Sequence, residues 1–241
     1  MLQYKDIKKW KLIYNSDIDI DHLSLFYKIL EKSTKNNKTL KDNYNSKILK
    51  CDFNNECITI KYPIDRNTRK WIRFTTLFRK GESYKNFMAF YKLKKLKINV
   101  PTPILIAELR KFGMVFDSFV VYKYINGNTF SRKNYNHYGE IIKIIKQLHY
   151  HNLVHGDAHT ENFIYSNKTF AIDVKAKKAY FGKLSKIWDY VQLSYNDIKI
   201  ENYFPEISSS YLYKFAKKLD KLKDKFNITK KKIKNIIFLK N

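Results

Sequence analysis

The sequence predicts an α+β protein with a β-rich N-terminal part and a mainly helical C-terminal part. Two β-rich runs surround an Asn54-Asn55 turn within residues 47–62, which favours an early hairpin. Later in the chain, apolar residues recur with the spacing of one helical face at Tyr138, Ile141, Ile142, Ile145 and Leu148. Early strands and late helices indicate one domain, 1–241, with two lobes at about 1–124 and about 125–241.

In the N-terminal part, residues 1–45 mix polar and apolar positions, and residues 22–30 are predicted to form a short helix. The hairpin at residues 47–62 follows, and Pro63 ends it, since proline cannot donate to a strand ladder. Residues 82–97 have the apolar spacing of a helix.

The middle of the chain is predicted to form strands at residues 104–108 and 113–124, followed by an Asn126-Gly127 turn. The helical spacing at residues 138–148 is the strongest helix signal in the chain. After it, a polar loop at residues 153–162 leads into a second hairpin. Its arms are predicted at residues 163–165 and 170–174. The rest of the chain is predicted to be helical.

Composition limits the function classes. Apolar residues make up 44 % of the chain, enough for a large core, and no run of about 18 uncharged apolar residues could span a membrane. The N-terminus lacks the apolar region of a secretory signal, so we expect a cytoplasmic protein. In that compartment Cys51 and Cys57 are expected to be reduced thiols.

The net charge of +26, from 48 Lys and Arg against 22 Asp and Glu, predicts anionic partners. Nucleic acid, anionic lipid headgroups and phosphorylated substrates all fit, although an AT-rich genome would also enrich lysine. We expect no nucleic-acid partner, because the sequence contains no recognisable nucleic-acid-binding motif.

A chemical motif lies in the polar loop, which reads Leu-Val-His-Gly-Asp-Ala-His-Thr-Glu-Asn from residue 153. Asp157 and Asn162 are five residues apart, and Asp173 follows eleven residues later at the end of an apolar run. Phosphoryl transfer uses such a set. One carboxylate accepts the proton of the attacking hydroxyl, and a carboxamide and a second carboxylate hold Mg²⁺ at the nucleotide phosphates.

This pattern, H-G-D-x-H-x-x-N followed by Ile-Asp, resembles the small-molecule kinase branch of the protein-kinase-like superfamily, which includes aminoglycoside, choline and lipopolysaccharide core kinases. The resemblance implies Asp157 as catalytic base and Asn162 and Asp173 as metal ligands. It also implies a strand lysine for the nucleotide phosphates and a helix glutamate paired with it. Lys61 ends an apolar strand, and Glu82 is the one acidic residue between Asp65 and Glu108.

The segment at residues 123–127, Lys-Tyr-Ile-Asn-Gly, resembles the hinge of these kinases, often written Glu-Tyr-Ile-Glu-Gly. Lysine and asparagine here replace the two glutamates, which is a departure from the pattern.

Within the branch, the chain most resembles the lipopolysaccharide core heptose(II) kinase family. Shared features are the chain length, Phe-Tyr-x-Leu at residues 90–93, and Gly-Asp-x-His-x-x-Asn-Phe-Ile followed by Ile-Asp. This resemblance implies a bilobal protein-kinase-like fold, ATP and Mg²⁺ as cofactors, and phosphorylation of a sugar hydroxyl, a heptose, on the lipopolysaccharide core precursor.

Other interpretations remain open. A different small-molecule kinase, such as an aminoglycoside or choline kinase, fits the same motif. A catalytically inactive, basic binding protein also fits, since the hairpin at residues 48–61 lacks the glycine that phosphate-cradling loops usually contain. Clustered histidines at positions 149, 151, 155 and 159 could bind a metal, but their positions favour roles in bracing the loop and contacting Asp157.

Basic residues are concentrated in two segments. Residues 66–97 carry eleven basic residues and one acidic residue, and residues 214–241 carry eleven lysines and two aspartates. A solvated surface helix would explain the second segment. A peripheral contact with an anionic membrane, at the inner face of the cytoplasmic membrane, would explain both.

Overall fold

The computed structural model describes residues 1–130, 138–195 and 198–222. Most of the predicted basic tail, residues 223–241, lies outside the described residues. The chain forms two compact units. The first comprises residues 1–128 and 164–175, and the second takes up the chain at 129–163 and from 176 onward.

The first unit is built on a seven-stranded sheet with the order β1-β2-β6-β7-β5-β4-β3. Its strands are β1 (Leu2–Ile7), β2 (Trp10–Asn15), β3 (Lys35–Asp42), β4 (Lys47–Phe53), β5 (Glu56–Tyr62), β6 (Pro103–Lys111) and β7 (Met114–Lys123). Its helices are α1 (His22–Leu30), α2 (Ile64–Thr68), α3 (Lys70–Thr75) and α4 (Glu82–Lys95). All neighbouring strands in this sheet are antiparallel.

The predicted hairpin is confirmed as β4 and β5, joined by Asn54 and Asn55. Both asparagines have positive φ, 46° and 63°. A two-residue turn between twisted strands needs this geometry, and asparagine tolerates it better than most residues do. The hairpin therefore closes tightly without glycine.

Helix packing covers both faces of the sheet. On one face, α1 buries Leu25, Phe26 and Ile29 in a core that includes Ile60 and Phe119. Asp21 caps this helix by accepting hydrogen bonds from the backbone N–H groups of residues 23 and 24.

On the other face, α4 packs against β6 and β7 through the buried side chains of Phe87, Phe90 and Leu93. Phe90 makes an edge-to-face contact with Tyr122 of β7, with ring centroids 5.4 Å apart. The predicted helix at residues 22–30 is confirmed, and that at 82–97 is confirmed to within two residues. The sequence prediction missed β1, β2, β3, α2 and α3.

A small sheet with the order β11-β10-β8 contains β8 (Asn128–Thr129), β10 (Phe163–Tyr165) and β11 (Thr169–Ala171). The second hairpin is thus confirmed, but its second arm ends at Ala171 rather than at residue 174. Asp173 consequently lies in the bend that follows the strand.

The second unit contains α5 (Tyr138–Tyr150), β9 (Leu153–Val154), a 3-10 turn (Thr160–Asn162), β12 (Lys177–Lys178), α6 (Lys183–Ser194), a 3-10 turn (Ile200–Asn202) and α7 (Pro205–Ser209). Residues 211–222 are also helical. The segment at 176–182 is not helical as predicted, because β12 pairs with β9 and Gly182 has φ +52°. In the described parts of the chain, no helix combines the length and apolar character that crossing a membrane requires.

Two glycine-to-alanine changes are expected to have opposite effects. A Cβ on Gly127 would lie 2.3 Å from the carbonyl oxygen of Tyr165, which β10 holds in place. We expect Gly127→Ala to lower the free energy of unfolding by about 1–3 kcal/mol.

Gly139 in α5 provides the matched control, because beyond its chain neighbours and its own helix backbone the nearest described atom to its Cβ position is Tyr203 Cε1 at 4.0 Å. There, alanine should raise the free energy of unfolding by up to about 1 kcal/mol through helix propensity. Urea denaturation measures both changes. Equal effects at the two positions would contradict the close approach at Gly127.

Candidate active site

Lys61 lies near the end of β5, in register with Val120 of β7. Its side chain is largely buried, and its ammonium nitrogen is 3.2 Å from Oδ1 of Asp173. Lysine is rarely buried without a partner, because removing its charge from water is costly. The two residues predicted to serve the nucleotide and the metal are therefore brought together within the first unit.

Asp173 is positioned by the chain on both sides of it. The backbone N–H of Ala171 donates to the carbonyl of Asn99 at 3.0 Å, and Val174 is buried. Burial and then the charge of Asp173 raise the pKa of Tyr122 above its ordinary value. Tyr122 therefore stays protonated beside the carboxylate.

Glu82 is not paired with Lys61, contrary to the sequence expectation; among the described residues, the carboxylate in contact with Lys61 is that of Asp173. Glu82 begins α4, whereas the residue of this helix that contacts Tyr122 is Phe90. Eight residues separate Glu82 from Phe90, about 12 Å along a helix axis. The first turn of α4 contacts β7 through Ser83, whose hydroxyl bonds that of Ser118 at 2.9 Å.

Lys123, which replaces the first glutamate of the hinge pattern, forms an ion pair with Glu56 at 2.7 Å. Glu56 begins β5, directly after the Asn54-Asn55 turn. The backbone N–H of Tyr124 donates to the carbonyl of Cys57 at 2.9 Å. The lysine at this position is therefore accommodated by a carboxylate on the neighbouring strand.

In the second unit, the loop that carries Asp157 is anchored to α6 through Asp189. This aspartate is only 1 % exposed. Its two carboxylate oxygens accept hydrogen bonds from the backbone N–H groups of His155 at 2.8 Å and Gly156 at 2.9 Å. Gly156 has φ +79°, a conformation that favours glycine.

His149 completes this anchor from the end of α5. Its Nε2 lies 3.0 Å from Asp189 Oδ2 and its Nδ1 lies 3.0 Å from the Tyr190 hydroxyl. Because a carboxylate can only accept, Nε2 carries the hydrogen of that bond. Burial and the charge of Asp189 raise the pKa of Tyr190 to about 12, so its hydroxyl remains available as a donor to Nδ1.

Asp157 and Asn162 are brought together by the fold of the loop. The Nδ2 group of Asn162 donates to the carbonyl oxygen of Asp157 at 2.8 Å, and the backbone N–H of His159 donates to the same carbonyl at 2.9 Å. The Asp157 carboxylate is partly exposed and lies 3.4 Å from Nε2 of His159. The expected contact between His159 and Asp157 is thus present.

Sequence reasoning missed Asp189 and Gln192, whose side-chain oxygen accepts from the backbone N–H of Ala158 at 3.0 Å. Both lie on α6, more than 30 residues beyond the loop that they hold. The available signal was an aspartate between apolar residues in Ile-Trp-Asp-Tyr-Val at 187–191. Such a residue on a buried helical face needs partners.

The chain matches a known protein family over most of its length. The sequence profile of the lipopolysaccharide core biosynthesis protein (WaaY) family matches residues 1–227. The chain belongs to this family. The resemblance to lipopolysaccharide core kinases inferred from the sequence is thereby confirmed. No curated protein matches this WaaY-family chain in sequence.

Solved structures agree on the fold. One described as WaaP in complex with acyl carrier protein has a TM-score of 0.55 at 12 % identity, covering 84 % of this chain and 98 % of that one. A thermostable mutant of aminoglycoside phosphotransferase APH(4)-Ia, in ternary complex with ADP and hygromycin B, has a TM-score of 0.53 at 9 % identity. That match covers 81 % of this chain and 88 % of the other. The predicted kinase-like α+β fold is confirmed.

Asp189→Ala tests the anchor. The change leaves two backbone N–H groups without their acceptor, so we expect a loss of about 3 kcal/mol in the free energy of unfolding. Native-state hydrogen exchange at the amides of His155 and Gly156 should become faster than global unfolding alone would explain, because the loop then opens locally.

Asp19→Ala is the control, because Asp19 is exposed, and its effect should stay within about 0.5 kcal/mol. Unchanged exchange at the two loop amides in Asp189→Ala would show that another contact holds the loop.

Proposed function

We propose that this protein transfers the γ-phosphoryl group of ATP to a sugar hydroxyl of the lipopolysaccharide inner core, and that the sugar is a heptose. The observation that carries the proposal is the loop at residues 155–162. There a buried carboxylate fixes the backbone while the Asp157 side chain remains accessible. Membership of the WaaY family supports the lipopolysaccharide core as substrate, and the kinase-like fold supports phosphoryl transfer.

Asp157 is the catalytic base in this proposal. Its carboxylate accepts the proton of the acceptor hydroxyl as the oxygen attacks phosphorus. Because the Asp157 carbonyl is bonded by both Asn162 and His159, the backbone beneath the carboxylate is held in one orientation. His159 limits the rotation of the carboxylate.

Lys61, on strand β5, is proposed to bind the nucleotide phosphates as a charged hydrogen-bond donor. Its pairing with Asp173 keeps the ammonium group at a fixed place when nucleotide is absent. Glu82 was expected to be the ion-pair partner that orients Lys61. The contacts of the first unit support Asp173 as that partner instead.

We propose Asp173 and Asn162, each considered within its own unit, as ligands of Mg²⁺. Asp173 offers a carboxylate, and the amide nitrogen of Asn162 is used by the loop, which leaves its carboxamide oxygen for a cation. Hard oxygen ligands of this kind suit Mg²⁺. When bound, the ion would neutralise charge that develops on the nucleotide phosphates.

The place of action is proposed to be the inner face of the cytoplasmic membrane. A lipopolysaccharide precursor is held there by its acyl chains and carries acidic groups. A protein of net charge +26 is attracted to such a surface over about one Debye length, about 8 Å at physiological salt.

Asp157→Asn tests the base. The amide keeps the shape of the side chain but cannot accept the proton, so we expect turnover to fall by about 10² or more with ATP binding retained. The assay incubates purified protein with ATP and deacylated core oligosaccharide and follows the gain of one phosphate by mass spectrometry.

Aminoglycosides and choline serve as competing acceptors in the same assay. Phosphorylation of either in preference to the oligosaccharide would assign the protein to another branch of these kinases. No ATP turnover with any acceptor would indicate an inactive binding protein.

Asp173→Ala tests the metal and nucleotide assignment. We expect Mg²⁺-dependent ATP binding to be lost, because the carboxylate ligand and the Lys61 partner disappear together. Titration calorimetry with and without Mg²⁺ measures the effect, with Asp17→Ala as an exposed control. If Mg²⁺ does not alter the ATP affinity of the wild-type protein, the assignment fails.

A further inference from the structure

Helix α3 in the first unit is attached to the fold by its polar side chains. The guanidinium of Arg73 donates to the carbonyl of Asn67 at 2.8 Å and lies 4.1 Å over the ring of Phe116. Just beyond the helix, the buried hydroxyl of Thr76 accepts from the backbone N–H of Val115 at 2.8 Å. These contacts of the segment with the rest of the first unit are therefore largely polar.

Its outward face is aromatic, the reverse of an ordinary surface helix. Trp71 is 73 % exposed, Phe74 46 % and Phe78 84 %. Trp71 and Phe74 stack with ring centroids 5.8 Å apart, and Phe74 and Phe78 meet edge to face at 6.2 Å. Spacings of three and four residues place all three rings on one side of the helical turns.

The tip of the β6–β7 hairpin extends this surface. Phe112 is 89 % exposed there, beside Gly113, and a Cβ on Gly113 would lie 3.0 Å from Cδ2 of Leu77. Leu77 is itself exposed. We call the surface formed by Trp71, Phe74, Leu77, Phe78 and Phe112 the aromatic face.

Positive charge borders the aromatic face. Residues 66–81 contain six basic residues and no acidic one. Those whose side chains are exposed are Arg66, Arg69, Lys70, Arg79 and Lys80. Arg69 forms an ion pair with Asp65. The other four exposed basic residues keep the border positively charged.

This charge selects the occupant. A second copy of a chain of net charge +26 would be repelled, and so would the basic tail at residues 223–241, which has seven lysines and one aspartate. An anionic surface is complementary. Exposed tryptophan and phenylalanine with a basic border are the combination by which proteins insert at the headgroup level of anionic bilayers.

We propose that the aromatic face inserts into the interfacial layer of an anionic lipid bilayer. The inference rests on the proposed function, in which the acceptor is held in a membrane, and it deepens that function by naming the surface that docks. Trp71, Phe74 and Phe78 enter the headgroup region, and the neighbouring arginines and lysines contact lipid phosphates.

Tryptophan fluorescence of the full-length protein tests this insertion. The probes are vesicles of phosphatidylethanolamine with phosphatidylglycerol, neutral phosphatidylcholine vesicles, and anionic vesicles with bromine on the acyl chains. We expect a blue shift with anionic vesicles and quenching by the brominated ones. Trp71→Phe should abolish most of both signals, since the other tryptophans, Trp10 and Trp188, lie outside the aromatic face.

A triple variant, Trp71→Ser, Phe74→Ser and Phe78→Ser, should partition to anionic vesicles more than tenfold more weakly. The matched control replaces Tyr180, Phe181 and Tyr211, which are comparably exposed but lie in the second unit, with serine. It should bind like the wild type. Thermal melting and turnover of the soluble, deacylated acceptor should be unchanged in both variants.

A third variant separates insertion from attraction by the tail. Replacing Lys230, Lys231, Lys232 and Lys234 with glutamine should weaken sedimentation with anionic vesicles while leaving the Trp71 quenching of the bound fraction intact. Release of the wild-type protein at about 0.5 M salt is expected, because the screening length is then only a few ångströms.

Three results would overturn the proposal: equal binding of the wild-type and triple variants, equal binding to neutral and anionic vesicles, or the absence of quenching by brominated lipid. Acyl carrier protein, present in the WaaP structure, is the alternative occupant. Its binding by the wild type but not by the triple variant, without vesicle binding, would make the face a protein interface. Vesicle insertion without phosphorylation of the soluble acceptor would instead refute the proposed function alone.

Discussion

The hydrogen bonds of Asp189 are the interaction on which the candidate active site depends. A buried carboxylate is tolerated only when its charge is satisfied, and this one accepts from two consecutive backbone amides and from His149. Those bonds connect α5, α6 and the loop at residues 155–162. Because the amides belong to the residues just before Asp157, the direction of the Asp157 side chain follows from them.

The first unit applies the same requirement to a cation. Lys61 is largely withdrawn from water, and the Asp173 carboxylate compensates its charge. The bend after β11 must therefore stay close to β5, and the bond from Ala171 to Asn99 keeps it there. In each unit, a residue of the candidate site is oriented by a carboxylate: Asp189 holds the loop that carries Asp157, and Asp173 holds the side chain of Lys61.

Much of this arrangement could be predicted from sequence, because the spacing of Asp157, Asn162 and Asp173 is local and is carried by one loop and one hairpin. The pairing of Lys61 with Asp173 could not be, because it joins residues more than 100 positions apart. Glu82 was chosen because it is the one acidic residue between Asp65 and Glu108 and opens the next predicted helix. The packing of α4 through Phe87 and Phe90 places other residues against the sheet. Strand β3 was missed because it is exposed throughout and polar except at Leu40, so no alternating pattern marks it.

That polar strand forms one edge of the seven-stranded sheet, and an edge exposes unpaired backbone groups that could recruit another strand. In β3 the edge carries Lys35, Lys38 and Lys41, and its pairing with β4 contains two irregularities in register. Lysine charge and broken register both oppose the addition of a further strand. These three lysines therefore disfavour edge-to-edge association of two chains, an effect that involves no ligand.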